Sequence, residues 1–322
     1  MKAEISDAST VGLLHNLRMN KDPCVVWSTS PDRKSEPLCT IARDDFYKTY
    51  IRAAETFYDV TNAGRSALSF EINHTAGLGP VPAWRDISAG ITEAFLAKLT
   101  ERGVGREVLA LVRSNLDIES SITRFSNLAS EKFGDSPMHA EITSAHEVAS
   151  VAHAKDSYAR PQDRDGLFHI PYMQHPRNMA IHGLELSLAG RTISTILLHD
   201  VVEDGRQPQE VTLAGLQRSF DKGVTDGVMQ LTKLPSQTRT EFLDHIGQLT
   251  GELAVAKGLD RFDNLIRAFG LQDPKYHSKV LDECAKIYDP IFAREPLLKS
   301  FSRTYSLLKQ ELAQYRDRLS QE

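Results

Sequence analysis

Apolar residues recur at three- and four-residue steps through much of the chain. Phe46, Tyr50, Ala53, Phe57 and Val60 form one such series, and Ile91, Ala94, Phe95 and Leu99 form another. That spacing puts each set on one helical face, whereas strict alternation over a strand's length is hard to find. A mainly α fold is expected. Behind Pro296, the residues Leu298, Phe301, Tyr305, Leu308, Leu312, Tyr315 and Leu319 predict one long amphipathic helix. Its stripe covers only about three heptads, so it is expected to pack on its own chain rather than to pair as a coiled coil. Turn-forming clusters at 28–37, 76–82, 134–137 and 160–171 punctuate the pattern. The expected division is an N-terminal helical region, 1–134, whose role the residues do not reveal, followed by a second domain, 135–322.

Composition narrows the function classes. With 38 Lys+Arg against 43 Asp+Glu, the formal charge of −5 does not suit a protein that coats nucleic acid. The apolar stretch around residues 193–202 is interrupted by Ser194, Thr195, His199 and Asp200, and the N-terminus lacks an apolar signal core, so neither a membrane span nor a signal peptide is expected. Three scattered cysteines, Cys24, Cys39 and Cys284, fit neither a disulfide framework nor a zinc ribbon. A reducing, cytoplasmic setting follows. The aromatic residues of the N-terminal region, Trp27 and Trp84 among them, could supply a core, a homo-oligomer contact or a surface for a protein partner.

The chemistry concentrates between residues 164 and 264. An apolar approach, Ile193, Ile196, Leu197 and Leu198, delivers His199-Asp200-Val201-Val202-Glu203-Asp204 into an expected buried helix, where so many polar groups are costly unless paired or metal-bound. Helical spacing would line His199 and Glu203, and Asp200 and Asp204, along one side of a cavity. Upstream, Gln174-His175-Pro176 places an imidazole where Pro176 can start a helix. Downstream, Asp260 and Asn264 are one helical turn apart. His175, His199, Asp200 and Asp260 make a mixed nitrogen and oxygen set that suits Mn²⁺, with other divalent transition metals possible and Mg²⁺ disfavoured by the imidazoles.

The adjacent His-Asp pair, extended as HDVVED, preceded by QHP and followed by Leu231-Thr232-Lys233-Leu234-Pro235 and KGLDRFDNL, resembles the hydrolase domain of the RelA/SpoT enzymes within the HD phosphohydrolase superfamily. The likeness covers roughly residues 145–270 and is most like the stand-alone small alarmone hydrolases. It implies a helical HD fold and a Mn²⁺ held by His175, His199, Asp200 and Asp260. Glu203 and Asp204 then occupy the family's Glu-Asp pair, which handles the attacking water and its proton, and Asn264 matches the Asn that helps hold the nucleotide. The implied reaction is removal of the 3′-pyrophosphate of guanosine tetra- or pentaphosphate, giving GDP or GTP and pyrophosphate. Cations must offset the substrate's charge, and Arg164, Arg177, Lys233 and Arg261 are candidates, with Arg261 more often making an internal salt bridge and Arg177 able to lie on an exposed helix face.

Two departures bear on specificity. The family's base-stacking Arg aligns with Arg164, but Leu167-Phe168-His169-Ile170 is inserted before Pro171-Tyr172, and Gly258-Leu259 replaces a usual Leu-Ala before Asp260. The insertion leaves room for a different nucleotide, such as an adenine alarmone or NADPH, and an alarmone-sensing regulatory protein is a third class of reading. The intact ligand and carboxylate set favours an enzyme over a sensor. The stretch after Asn264 is short for a second catalytic domain, so hydrolysis alone is the expected activity. His153, His169 and His182 lie near these motifs in sequence and are expected to be structural.

Overall fold

In the computed structural model the helical spacing becomes a succession of packed helices; the structure describes residues 84–153, 172–202, 212–234 and 236–321, together with the backbone of four short strands. The strands are β1 (Val11–Gly12), β2 (Cys24–Ser30), β3 (Arg33–Ile41) and β4 (Ile72–His74). They form an antiparallel sheet in which β2 pairs with each of the others. The N-terminal region expected to be helical thus carries a small sheet as well as the helices from residue 84 onward. The cluster at 28–37 lies on a strand pair, with Ser30 opposite Arg33. Its β-forming residues, Val25, Val26, Trp27, Thr40 and Ile41, were obscured because the pairing shifts register between Val26 and Trp27, which breaks a simple alternation and accommodates Pro37. The helix expected at 46–60 and the turns expected at 76–82 and 160–171 lie outside the described residues.

From residue 84 onward the mainly α expectation holds. The helices are α1 (Trp84–Glu101), α2 (Arg106–Leu116), α3 (Ile118–Phe133), α4 (Pro137–Ala152), α5 (Gln174–Glu185), α6 (Gly190–Leu198), α7 (Leu213–Ser219), α8 (Lys222–Leu231), α9 (Arg239–Gln248), α10 (Gly251–Ala268) and α11 (Pro274–Glu283). A π-turn at Cys284–Tyr288 leads into α12 (Asp289–Arg294), and a 3₁₀ turn at Pro296–Ser300 precedes α13 (Ser302–Leu319). Polar residues set several starts: Asp117, Thr212, Asp221, Thr238 and Asp273 each accept a backbone N–H at the head of their helix. Gly134 takes a positive φ of 49° between α3 and α4, where a side chain would be strained.

One apolar core runs from Phe95 to Tyr315 and crosses the turn at Gly134, so α2 and α3 share it with the helices that follow. The C-terminal stripe packs on its own chain, burying Tyr305, Leu308, Leu312 and Tyr315. The helix starts at Ser302 rather than Pro296, because the preceding residues coil more tightly and drive Leu298 into the core. Leu298 also accounts for Gly258. A Cβ there would lie 2.4 Å from Leu298 Cδ1, so the helix carrying Asp260 can approach the 3₁₀ turn only where a side chain is missing. Gly258→Leu is expected to cost about 1–3 kcal/mol or more through overpacking. A urea midpoint unchanged from wild type would show that Leu298 yields freely.

The helix α10 occupies the centre of this core and is buried along most of its length, including the charged side chains of Lys257, Asp260, Arg261 and Asp263. So many buried charges on one helix demand partners, and those partners define the site.

Candidate metal centre

His175 sits in the first turn of α5 and His199 immediately after the last residue of α6. With Asp260 from α10, their ligand atoms lie within 4.8 Å of one another, all three residues being buried. Asp200 Oδ2 completes the cluster, 3.1 Å from His199 Nε2 and 3.9 Å from His175 Nε2, while Asp260 Oδ1 stands 3.3 Å from His175 Nε2. The four residues expected to hold a metal therefore converge.

The expected helix does not run on through residues 199–202. α6 ends at Leu198, and residues 199–202 are turns. The termination has a local cause: His199 Nδ1 donates to the carbonyl of Ile196 at 2.8 Å, so the imidazole itself satisfies a carbonyl that a continuing helix would have used. Thr232, in the Leu231-Thr232-Lys233 motif after α8, donates its hydroxyl toward the carbonyl of His199 at 2.7 Å. With Nδ1 engaged, Nε2 is left facing the cluster, buried and without a hydrogen-bond partner of its own. An orphaned imidazole nitrogen among carboxylates is what a divalent ion would complete, and the residues fit such an ion.

His175 is oriented in the same way. Its Nδ1 lies 2.5 Å from Asp263 Oδ2, leaving Nε2 toward Asp200 and Asp260. Asp263 was not anticipated from the sequence, nor was Asn115, whose Nδ2 donates to Asp263 Oδ1 at 2.7 Å. The one available signal was the placement of Asp263 three residues after Asp260 on an apolar helix. Burial pulls the His175 pKa down, but Asp263 and hydrogen bonding to Asp260 outweigh it and raise the group to about 9.

The carboxylates stay ionised. Burial pushes Asp260 up, yet Lys257, His175 and His199 hold it well below the usual carboxylate range; Lys257 Nζ donates to Asp260 Oδ2 at 2.7 Å. Burial likewise opposes ionisation of Asp200, and His199 and His175 overcome it. Tyr172 donates its hydroxyl to Asp200 and keeps its proton, its pKa raised by burial and by that carboxylate. Arg267 lies over the Tyr172 ring, 5.1 Å from its centroid. Asp200, Asp260 and Asp263 are thus matched by Lys257, Arg267 and a protonated His175, and a divalent ion bound at Nε2 would take over the charge that the His175 proton supplies.

The other expected residues divide. Asn264 borders the cluster, donating from Nδ2 to Asp260 Oδ1 and accepting from Arg267 at 3.2 Å. Lys233 follows Thr232 and is partly exposed. Glu203, Asp204 and Arg164 lie outside the described residues. Arg261 makes the internal salt bridge that is its more usual role, whereas Arg177, a candidate for an exposed helix face, turns inward. Arg177 bonds His146 and Gln174, and Arg261 pairs with Glu283 at 2.8 Å and stacks 4.3 Å from the Tyr288 ring centroid, so neither is placed for substrate. His182 packs edge-on to Phe262 and Phe301, and the His153 ring lies against Tyr172.

Behind the cluster, Arg177 Nε donates to His146 Nε2 at 3.2 Å, which keeps that imidazole neutral. Burial and the neighbouring Arg177 lower its pKa from 6.5 to about 3. The unfolded chain therefore takes up this proton first, and the stability due to a neutral His146 is complete above pH 6.5 and drains away as pH falls toward 3. The loss is about 1.4 kcal/mol per pH unit in that window. Urea titrations from pH 7 to 4 should show a flatter profile for His146→Gln than for wild type, and parallel profiles would rule the effect out.

No protein-family model matches the chain. Curated proteins do. A guanosine-3′,5′-bis(diphosphate) 3′-pyrophosphohydrolase of Aquifex aeolicus is 28% identical over 166 residues, 49% of this chain and 22% of that protein. The protein of the same name from Haemophilus influenzae is 32% identical over 134 residues, 38% of this chain and 19% of its own length. The bifunctional (p)ppGpp synthase/hydrolase SpoT of Escherichia coli K12 is 30% identical over 134 residues, 38% of this chain and 18% of that protein. The chain spans about a fifth of the length of these relatives. A solved metazoan SpoT ortholog, described as hydrolysing ppGpp, is 20% identical with a TM-score of 0.37, covering 52% of this chain and 97% of that one.

Proposed function

We propose that this chain is a metal-dependent pyrophosphohydrolase that removes the 3′-pyrophosphate of guanosine tetra- or pentaphosphate, giving GDP or GTP and pyrophosphate. The observation that carries the reading is the convergence of two imidazoles, each with Nδ1 already committed, and two ionised carboxylates on the blocks similar to curated (p)ppGpp pyrophosphohydrolases. His175, His199, Asp200 and Asp260 hold the ion, for which Mn²⁺ suits the mixed donors. A divalent ion bound there supplies an acidified water and positive charge against the phosphate oxygens.

The chain's own residues do the rest. Tyr172 and Lys257 orient Asp200 and Asp260. Glu203 and Asp204, following the His-Asp pair, position the attacking water and accept its proton. Arg164 and Lys233 receive the negatively charged nucleotide, and Asn264, tied between Asp260 and Arg267, meets it at the border of the ligand set. The buried free thiol of Cys284 suits a reducing, cytoplasmic setting. No helix among the described residues is long and apolar enough to cross a membrane.

The test is a nucleotide panel with the Mn²⁺-loaded protein. Pyrophosphate released from guanosine tetraphosphate supports the proposal. Its absence overturns it, and orthophosphate released from NADPH, or cleavage of an adenine alarmone alone, would move the assignment to those substrates.

A further inference from the structure

The carboxylate behind His175 is held from outside the segment that carries the metal motifs. Asp263 Oδ2 faces His175 Nδ1 at 2.5 Å, while its other oxygen accepts from Asn115 Nδ2 at 2.7 Å and lies 3.4 Å from Asn178 Nδ2. Asn115 stands in the last turn of α2, 148 residues before Asp263. The same turn grips α5 through its backbone. The carbonyl of Asn115 accepts from Gln174 Nε2 at 2.8 Å and from Asn178 Nδ2 at 3.1 Å, and Ser121, on α3, donates to Gln174 Oε1 at 2.9 Å. Asn115, Gln174, Asn178, Ser121 and Asp263 are all buried.

We infer that Asp263 and Asn115 are positioning residues that fix the proton of His175 on Nδ1 and aim its Nε2 at the ligand cluster, so that α2 and α3 are structural parts of the catalytic centre. The inference rests on the proposed metal site and extends it to residues upstream of the motif segment. Two amide groups point N–H at Oδ1, so that atom must be an acceptor, and a carboxylate presents a second acceptor to the imidazole. An Asn at position 263 would have to turn its oxygen to Asn115 and its NH₂ to His175. The imidazole would then accept at Nδ1 and carry its proton on Nε2, where an ion must bind.

Asp263→Asn should therefore weaken Mn²⁺ binding by about 10- to 100-fold, read from the electron-spin-resonance signal of free Mn²⁺, while circular dichroism stays that of wild type. Exchanging the pair, Asn115→Asp with Asp263→Asn, returns an acceptor to face the new NH₂ and frees its oxygen for His175. This double variant should recover most of the lost affinity, which a merely structural role does not predict. Ring-nitrogen NMR of His-labelled, Zn²⁺-loaded protein gives an independent readout: a proton on Nδ1 and metal on Nε2 of His175 in wild type, and loss of that signature in Asp263→Asn. Equal Mn²⁺ affinity of wild type and Asp263→Asn, or an unchanged His175 signature, overturns the inference and leaves the metal site standing. Failure of wild type itself to bind Mn²⁺ or Zn²⁺ overturns the metal reading and the inference with it.

Discussion

His199→Ala is expected to lower the proposed hydrolysis to about a thousandth of the wild-type rate, a loss of about 4 kcal/mol in transition-state stabilisation, and to remove tight Mn²⁺ binding with it. The expectation follows from geometry. His199 Nε2 is buried, makes no hydrogen bond of good geometry and lies 3.1 Å from Asp200 Oδ2, and its ring is clamped by Nδ1 to the end of α6. No other described imidazole joins His175 and Asp260 within ligand distance. His182, on the same helix as His175, is committed to an aromatic cluster. Parallel measurements of pyrophosphate release and of Mn²⁺ bound per chain check the expectation. A variant that kept both would show that His199 is a capping residue and nothing more. Removal of the ion by a chelator should reproduce the activity loss in wild type, with recovery on adding Mn²⁺.

The second large effect concerns Lys257. Its ammonium is buried beside Asp260 and 5.5 Å from the centroid of the Phe242 ring, held cationic because Asp260 and other anionic neighbours outweigh burial. Lys257→Met removes the nearest permanent cation from a group of ionised carboxylates. Without metal, breaking this buried pair should destabilise the chain by about 3–5 kcal/mol. Saturating Mn²⁺ restores positive charge at the same carboxylate, so the deficit should shrink when the ion is bound, through the linkage of binding to folding. Urea unfolding with and without Mn²⁺, for both proteins, isolates this coupling. An equal deficit in both conditions would mean that Lys257 matters for packing against Phe242 and not for the charge of the ligand set.

How legible these features were depended on the range of the interaction involved. Helix spacing from residue 91 to 99 and from 305 to 319 depends on side chains a few positions apart, and it translated directly into buried faces at Phe95, Leu99, Tyr305 and Leu312. The strand pair at 24–41 was missed because its register shift interrupts the alternation on which such a reading relies. The stop at Leu198 was missed for a different reason. A His at a helix end normally carries little weight as a terminator, and here it ends the helix by turning its own Nδ1 onto Ile196. Arg177 and Arg261 were the weaker candidate cations, an internal salt bridge being the more usual role for Arg261. Only packing revealed His146 and Glu283 as their partners.

The spacing of apolar residues determined a mainly helical chain from the α1 region onward. The joint spacing of the motifs, with the resemblance they carry, singled out the four ligand candidates, since imidazoles and carboxylates in an apolar setting must be paired or metal-bound. The tertiary structure decided how those groups are aimed. Asp263 meets His175 from 88 positions away and Asn115 meets Asp263 from 148, distances over which no local periodicity carries information. Their hydrogen bonds exist only after α2, α5 and α10 have packed, and packing is set by the shape of the whole core.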